Sequence, residues 1–254
     1  MLIINRLIPV LSPVLIFIGL QYLIIKPHQL FWLSPLILLI FLAGLWQLTG
    51  RNLKIEKFWR YLITPFFFLF FGIIFLIFLD SQPLKQLVII ILSALLAIYL
   101  EVIFLWFHLR LKYQLHSLEN ITAHLNLLTI FLATTSFISL IIFLGLSFWY
   151  FLAAFIILNF LLNYELIWSS GTTWRESWHY LALTTLILTE IFWAVNFLPS
   201  SVYVQSIIVT IAYYLLSGII RNWLNNIRES KVIRRYLIIS LICLIIILAS
   251  AKWY

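Results

Sequence analysis

Residues 121–168 read ITAHLNLLTIFLATTSFISLIIFLGLSFWYFLAAFIILNFLLNYELIW, forty-eight positions with Glu165 as the one carboxylate and no lysine or arginine. A helix needs roughly 20 apolar residues to cross the hydrocarbon core of a bilayer. The stretch is therefore about two spans long. Only Gly145-Leu146-Ser147 offers turn chemistry inside it, so the chain is expected to reverse there.

Working outward from this pair, seven more apolar runs follow the same rule. The nine expected spans are Leu7–Ile25, Leu30–Leu48, Tyr61–Leu79, Leu84–Leu109, Ile121–Leu144, Ser147–Trp168, Tyr180–Leu198, Val202–Ile220 and Tyr236–Trp253. Breaks at Pro27, Asp80-Ser81-Gln82-Pro83 and Pro199-Ser200-Ser201 carry the residues that stop one helix and start another. A membrane β-barrel would instead show segments of about ten residues with alternating polarity. The fold class expected is all-α, a polytopic integral membrane helical bundle of about nine transmembrane helices.

Composition agrees. Of 254 residues, 65% are hydrophobic and 9% charged, against about 45–50% and about 25% in soluble domains. The mean hydropathy is +1.13. Disorder, coiled coil, collagen and a secreted disulfide scaffold are excluded. Cys243 is the single cysteine, which leaves no intrachain disulfide and no cysteine zinc site.

Charge sets the direction. With nine spans, one side receives Arg6, Arg51, Lys54, Lys57, Arg60, Arg110, Lys112, Arg175, Arg221, Arg228, Lys231, Arg234 and Arg235, which is 13 of the 16 basic residues. The other receives Lys26, Lys85 and Lys252. The positive-inside rule then places the N-terminus in the cytoplasm and the C-terminus outside. The net charge of +8 is explained by topology and attraction to anionic lipid, so no nucleic-acid partner is expected. Pro9 and Pro13 within the first run, with no small-residue cleavage site after it, argue against a cleaved signal peptide. Connections are short, the longest being Arg221–Arg235. A single transmembrane domain over 1–254 is expected, with no soluble domain.

Ionisable groups inside the membrane are costly and are the first places to look for function. Glu101, Glu165 and Glu190 fall within spans, and no lysine or arginine is expected deep enough to neutralise them. Polar residues follow at helical spacing on the fourth to eighth spans. They predict a seam of Glu101, His108, His124, Asn126, Asn163, Glu165 and Glu190, with Trp193 beside the last. The plainer reading of the seam is interhelical hydrogen bonding. The sharper one is a cytoplasm-facing cavity in which Glu101 and Glu190 handle protons, a cation or a basic headgroup. Thr173-Trp174-Arg175-Glu176 matches a capping box and would start the seventh helix early.

Motifs for zinc hydrolysis, phosphate loops and nucleophile elbows do not occur. No cofactor and no metal site is expected, and catalytic residues stay unassigned. The run Glu190-Ile191-Phe192-Trp193, ending at Phe197-Leu198-Pro199, is followed by Tyr213-Tyr214-Leu215-Leu216-Ser217-Gly218 and Arg234-Arg235-Tyr236. Together these resemble uncharacterised multi-pass bacterial membrane proteins grouped as a domain of unknown function. The resemblance covers the last third of the chain. It implies a bacterial plasma (inner) membrane location, carries no activity or cofactor with it, and moves Glu190 with Trp193 ahead of Glu101 as a site. Three functions remain in play. The first is a non-enzymatic membrane subunit that binds envelope proteins or lipids. The others are a small proton- or cation-coupled transporter using intramembrane glutamates, and a membrane-embedded lipid-modifying enzyme.

Overall fold

The computed structural model describes residues 2–50, 56–109, 111, 113, 117–169, 174–224 and 230–251. Among the described residues the chain forms nine α-helices and no strand. These are α1 (Leu2–Ile25), α2 (Leu30–Leu48), α3 (Glu56–Phe78), α4 (Gln82–His108), α5 (Ser117–Leu144), α6 (Phe148–Ser169), α7 (Trp174–Val195), α8 (Val202–Leu224) and α9 (Ser230–Ser250). All nine are long and apolar enough to cross a membrane. In lipid this is the expected outcome, because a helix satisfies its own backbone polar groups where no water can.

The long apolar stretch does break where turn chemistry is available. Gly145 takes a φ of 62°, a left-handed conformation open to glycine at little cost, and α6 begins at Phe148. The helices that leave the basic connections start earlier than their apolar runs. For instance, α1 starts at Leu2 rather than Leu7, α3 at Glu56 rather than Tyr61, and α7 at Trp174 rather than Tyr180. The hydrocarbon core is about 30 Å thick but the headgroup zones extend it to about 40–45 Å. Helical hydrogen bonding continues through those zones, while hydropathy marks only the core. The early start of α7 is thus observed, while its expected cap, Thr173, lies outside the described residues, as do Arg51, Lys54, Arg110, Lys112, Arg228 and Lys252.

Packing divides the chain into two compact units, Met1–Leu125 and Asn126–Tyr254, with α5 running from one into the other. In the first unit α1 packs against α2 and α4, and α3 against α2 and α4. Its core is aliphatic and aromatic, including Ile16, Leu20, Phe41, Phe68, Leu96 and Tyr99. The Tyr99 hydroxyl donates to the Tyr61 carbonyl, which gives a buried phenol the partner it needs.

In the second unit α6, α7 and α8 pack mutually and α9 lies on α8. Phe192 of α7 is fully buried and stacks on Phe155 of α6 with centroids 4.3 Å apart. Phe148 and Phe137 complete the cluster around it at 6.0 and 6.5 Å. The α8–α9 approach depends on Gly218. A Cβ at that position would run into the Tyr236 ring, well inside contact distance. Small residues let membrane helices come this close. Within α5, positions 132–139 are buried without a break, although Thr134, Thr135, Ser136 and Ser139 are among them.

Candidate functional site

The residues expected to share one polar seam fall in different units: Glu101, His108 and His124 in the first, Asn126, Asn163, Glu165, Glu190 and Trp193 in the second.

In the first unit Glu101 has a cationic neighbour. An Arg6 nitrogen lies 3.8 Å from a Glu101 carboxylate oxygen. This differs from the expectation that no basic residue reaches the intramembrane glutamates. The cause is the early start of α1, which makes Arg6 a helical residue whose long stem can lie along apolar surface with its head free to find a carboxylate. The Arg6 guanidinium also stands over the Phe104 ring, 5.5 Å from its centroid. One turn further along α4, His108 stacks on Phe104, and its Nε2 accepts from the Asn5 amide at 2.8 Å.

At the far end of the same helix pair, Gln21 and Gln86 exchange hydrogen bonds through their amides, one of them 3.0 Å long. Fifteen residues separate Arg6 from Gln21, and fifteen separate Gln86 from Glu101. The two clasps thus hold α1 and α4 in antiparallel register about 22 Å apart at 1.5 Å per residue. Both Arg6 and Glu101 keep substantial exposure, at 58% and 39%. Their pairing, with the Gln21–Gln86 clasp, sets the register of α1 against α4. His124 is exposed, and its Nδ1 lies 2.6 Å from the Asn120 carbonyl one turn back.

In the second unit the polar residues separate into two classes. Thr189, Asn196, Ser206 and Thr210 each donate to the carbonyl four residues earlier in their own helix. This local bonding is the usual way that a hydroxyl or short amide is accommodated in a membrane helix. The other class is buried and faces other helices. Glu165 is 3% exposed, and Tyr213, 1% exposed, stands with its hydroxyl beside the Asn126 side chain and within electrostatic reach of Glu165. Asn159 and Asn163 are buried too. Both amide atoms of Asn159 and the Nδ2 of Asn163 have no hydrogen-bond partner among the described residues. Tyr213 is absent from the residues that depth and charge single out. It belongs to the stripe of Ser206, Thr210 and Ser217 on α8, and that stripe is the signal that finds it.

Glu190 and Trp193 do not join this cluster. On α7, among the residues whose side chains are described, the buried ones are Leu181, Thr184, Thr185, Leu188, Phe192 and Val195. The opposite face carries Leu183, Leu186, Glu190 and Trp193, all exposed, and Phe197, two residues past the end of α7, is exposed too. Their steps of three and four repeat the spacing of a helix–helix seam. Among the described residues no group of three His, Cys, Asp or Glu side chains is placed to hold a metal ion.

A family model described as a protein of unknown function (DUF5656) matches residues 14–250. No curated protein and no solved structure matches the chain.

Proposed function

The chain belongs to the DUF5656 family of proteins of unknown function, and from that premise we propose that it is a non-enzymatic, multi-pass membrane subunit that docks a partner protein along α7. The observation that carries this reading is the exposed α7 stripe Leu183-Leu186-Glu190-Trp193, with Phe197 exposed just past the helix end. Lipid chains cover leucine, tryptophan and phenylalanine without difficulty. They cannot satisfy a carboxyl group. Glu190 lies five residues before the end of α7 at Val195, about 7–8 Å along the helix axis. Ionisable side chains within a membrane span are costly, and such residues mark partners or pathways. The partner is a transmembrane helix with a basic or hydrogen-bond-donating side chain at the depth of Glu190, and Trp193 is the rigid anchor beside it.

The N-terminus in this reading faces the cytoplasm, supported by the 13-to-3 division of basic residues, and the setting is the bacterial plasma membrane that the resemblance implies. A second reading, a carrier that binds a proton or cation, is favoured by one observation only, the buried group of Glu165, Tyr213 and Asn126.

Native mass spectrometry of the protein, cut from its own membrane in polymer-bounded lipid discs, separates the two. A second polypeptide in fixed stoichiometry is the expected result. The chain by itself, with lipid as its only companion, overturns the subunit reading and leaves the carrier.

A further inference from the structure

Between α1 and α4 runs a groove of about 310 Å³, within the usual size range of small-molecule sites. It lies within the first unit and is independent of the α7 face. Along α1 its wall is Pro9, Pro13 and Phe17, and along α4 it is Ser93, Ala94 and Ala97. The groove is open because the two prolines and the short side chains of α4 leave room that larger residues would take. At one end the same faces continue into the Arg6–Glu101 pair. Arg6 precedes Pro9 by three residues and Glu101 follows Ala97 by four, each one helical turn away on the same face. The Gln21–Gln86 clasp lies beyond the other end, Gln21 being four residues past Phe17.

We infer that this groove and the charged pair at its head bind one membrane phospholipid whose headgroup carries a primary ammonium beside its phosphate. Charge selects that headgroup. Arg6 and Glu101 both keep substantial exposure, and their nitrogen and oxygen are 3.8 Å apart. A charge-assisted hydrogen bond between such groups is about 2.7–2.9 Å long, so the pair is not closed on itself. The guanidinium keeps donors for a phosphate, and the carboxylate keeps oxygens for an ammonium. Pro9 adds an acceptor, because it has no N–H to give the Asn5 carbonyl one turn before it. A purely anionic headgroup would meet Glu101 with like charge. A quaternary ammonium has no N–H to donate.

Depth and length select a lipid as the occupant. The 27 residues of α4 extend about 40 Å, the thickness of a bilayer with its headgroups. Glu101 is seven residues from the end of α4 at His108, about 10 Å, which is the base of the headgroup zone. From Arg6 to Phe17 is eleven residues, about 16 Å, or half of a hydrocarbon core about 30 Å thick. The groove with its charged head thus has the reach of one acyl chain in one leaflet. A partner helix would continue through both leaflets, whereas the groove stops short of the Gln21–Gln86 clasp.

The test uses the full chain, delipidated in detergent and titrated with phosphatidylethanolamine, phosphatidylcholine or phosphatidylglycerol of the same acyl chains. Retention is read by native mass spectrometry. One phosphatidylethanolamine per chain is expected, retained about fivefold better than either of the others. Glu101→Gln is expected to abolish that preference without weakening phosphatidylglycerol. Arg6→Gln is expected to weaken all three lipids about fivefold, through the phosphate they share. Ala97→Phe fills the groove and is expected to weaken all three about tenfold. Equal retention of the three lipids by the unaltered chain overturns the inference, and so does a preference for phosphatidylglycerol. An unchanged preference in Glu101→Gln, or undiminished retention by a folded Ala97→Phe protein, overturns it as well. If Ala97→Phe does not fold, Ala94→Trp at the exposed rim blocks the same groove and gives the same readout.

Discussion

Replacing Glu190 with leucine is expected to release the partner while leaving the chain folded. Glu190 is exposed on α7 and touches none of the helix's buried face. Losing it from the isolated chain should change stability by no more than about 0.5 kcal/mol, as for other surface positions. In the assembled state the same carboxyl faces a basic or donor group on the partner. Truncating one member of a desolvated charged pair costs about 2 kcal/mol or more, because the other is left buried and unpaired. Association should therefore weaken by about thirtyfold or more. The check is affinity capture from membranes with the partner quantified per chain, alongside thermal unfolding of the purified variant. Glu190→Gln, which keeps hydrogen-bonding capacity but not charge, should retain more partner than Glu190→Leu. Loss of partner together with a large drop in stability would place Glu190 in the fold instead of at an interface.

Two residues along, the opposite behaviour is expected. Phe192 is fully buried and is the centre of a ring cluster with Phe155, Phe148 and Phe137. In a bilayer helices gain little from the hydrophobic effect, and van der Waals contact does the packing. Phe192→Ala removes that contact and leaves a cavity, a change worth about 3 kcal/mol at buried phenylalanines. Unfolding measured by steric trapping in lipid discs should show that loss. Trp193→Ala, the adjacent position with its ring 48% exposed, should unfold as the unaltered chain does and lose partner instead. Similar stability losses at 192 and 193 would mean that both rings face the same surface.

The spans were legible because hydrocarbon thickness imposes a length on every crossing. That is why α2 begins and ends where its apolar run does, and why the forty-eight-residue stretch had to break near Gly145. The Arg6–Glu101 contact was not legible. A search for apolar runs treats residues before Leu7 as connection, whereas the helix already includes them. Depth was also a poor guide to which glutamate is hidden. Glu165 lies four residues from the end of α6 and Glu190 five from the end of α7, yet the first is buried and the second exposed.

What separates these two is rotation about the helix axis. Sequence reveals rotation only where one face differs from the other. On α7, Thr184 and Thr185 on the packed face and Glu190 on the outer one are a partial cue. On α6, which is apolar nearly all round, Asn159, Asn163 and Glu165 are the only marks. Their spacing does not say which of them comes within electrostatic reach of Tyr213. That depends on how α8 approaches α6 and becomes visible only in three dimensions.

Photo-crosslinking along α7 in living cells tests the partner face most directly. A diazirine amino acid at position 186 or 193 should yield a discrete adduct with one second polypeptide, and the same probe at the buried position 188 should yield none. Adducts with lipid alone at 186 and 193 would contradict a protein-docking role for this face.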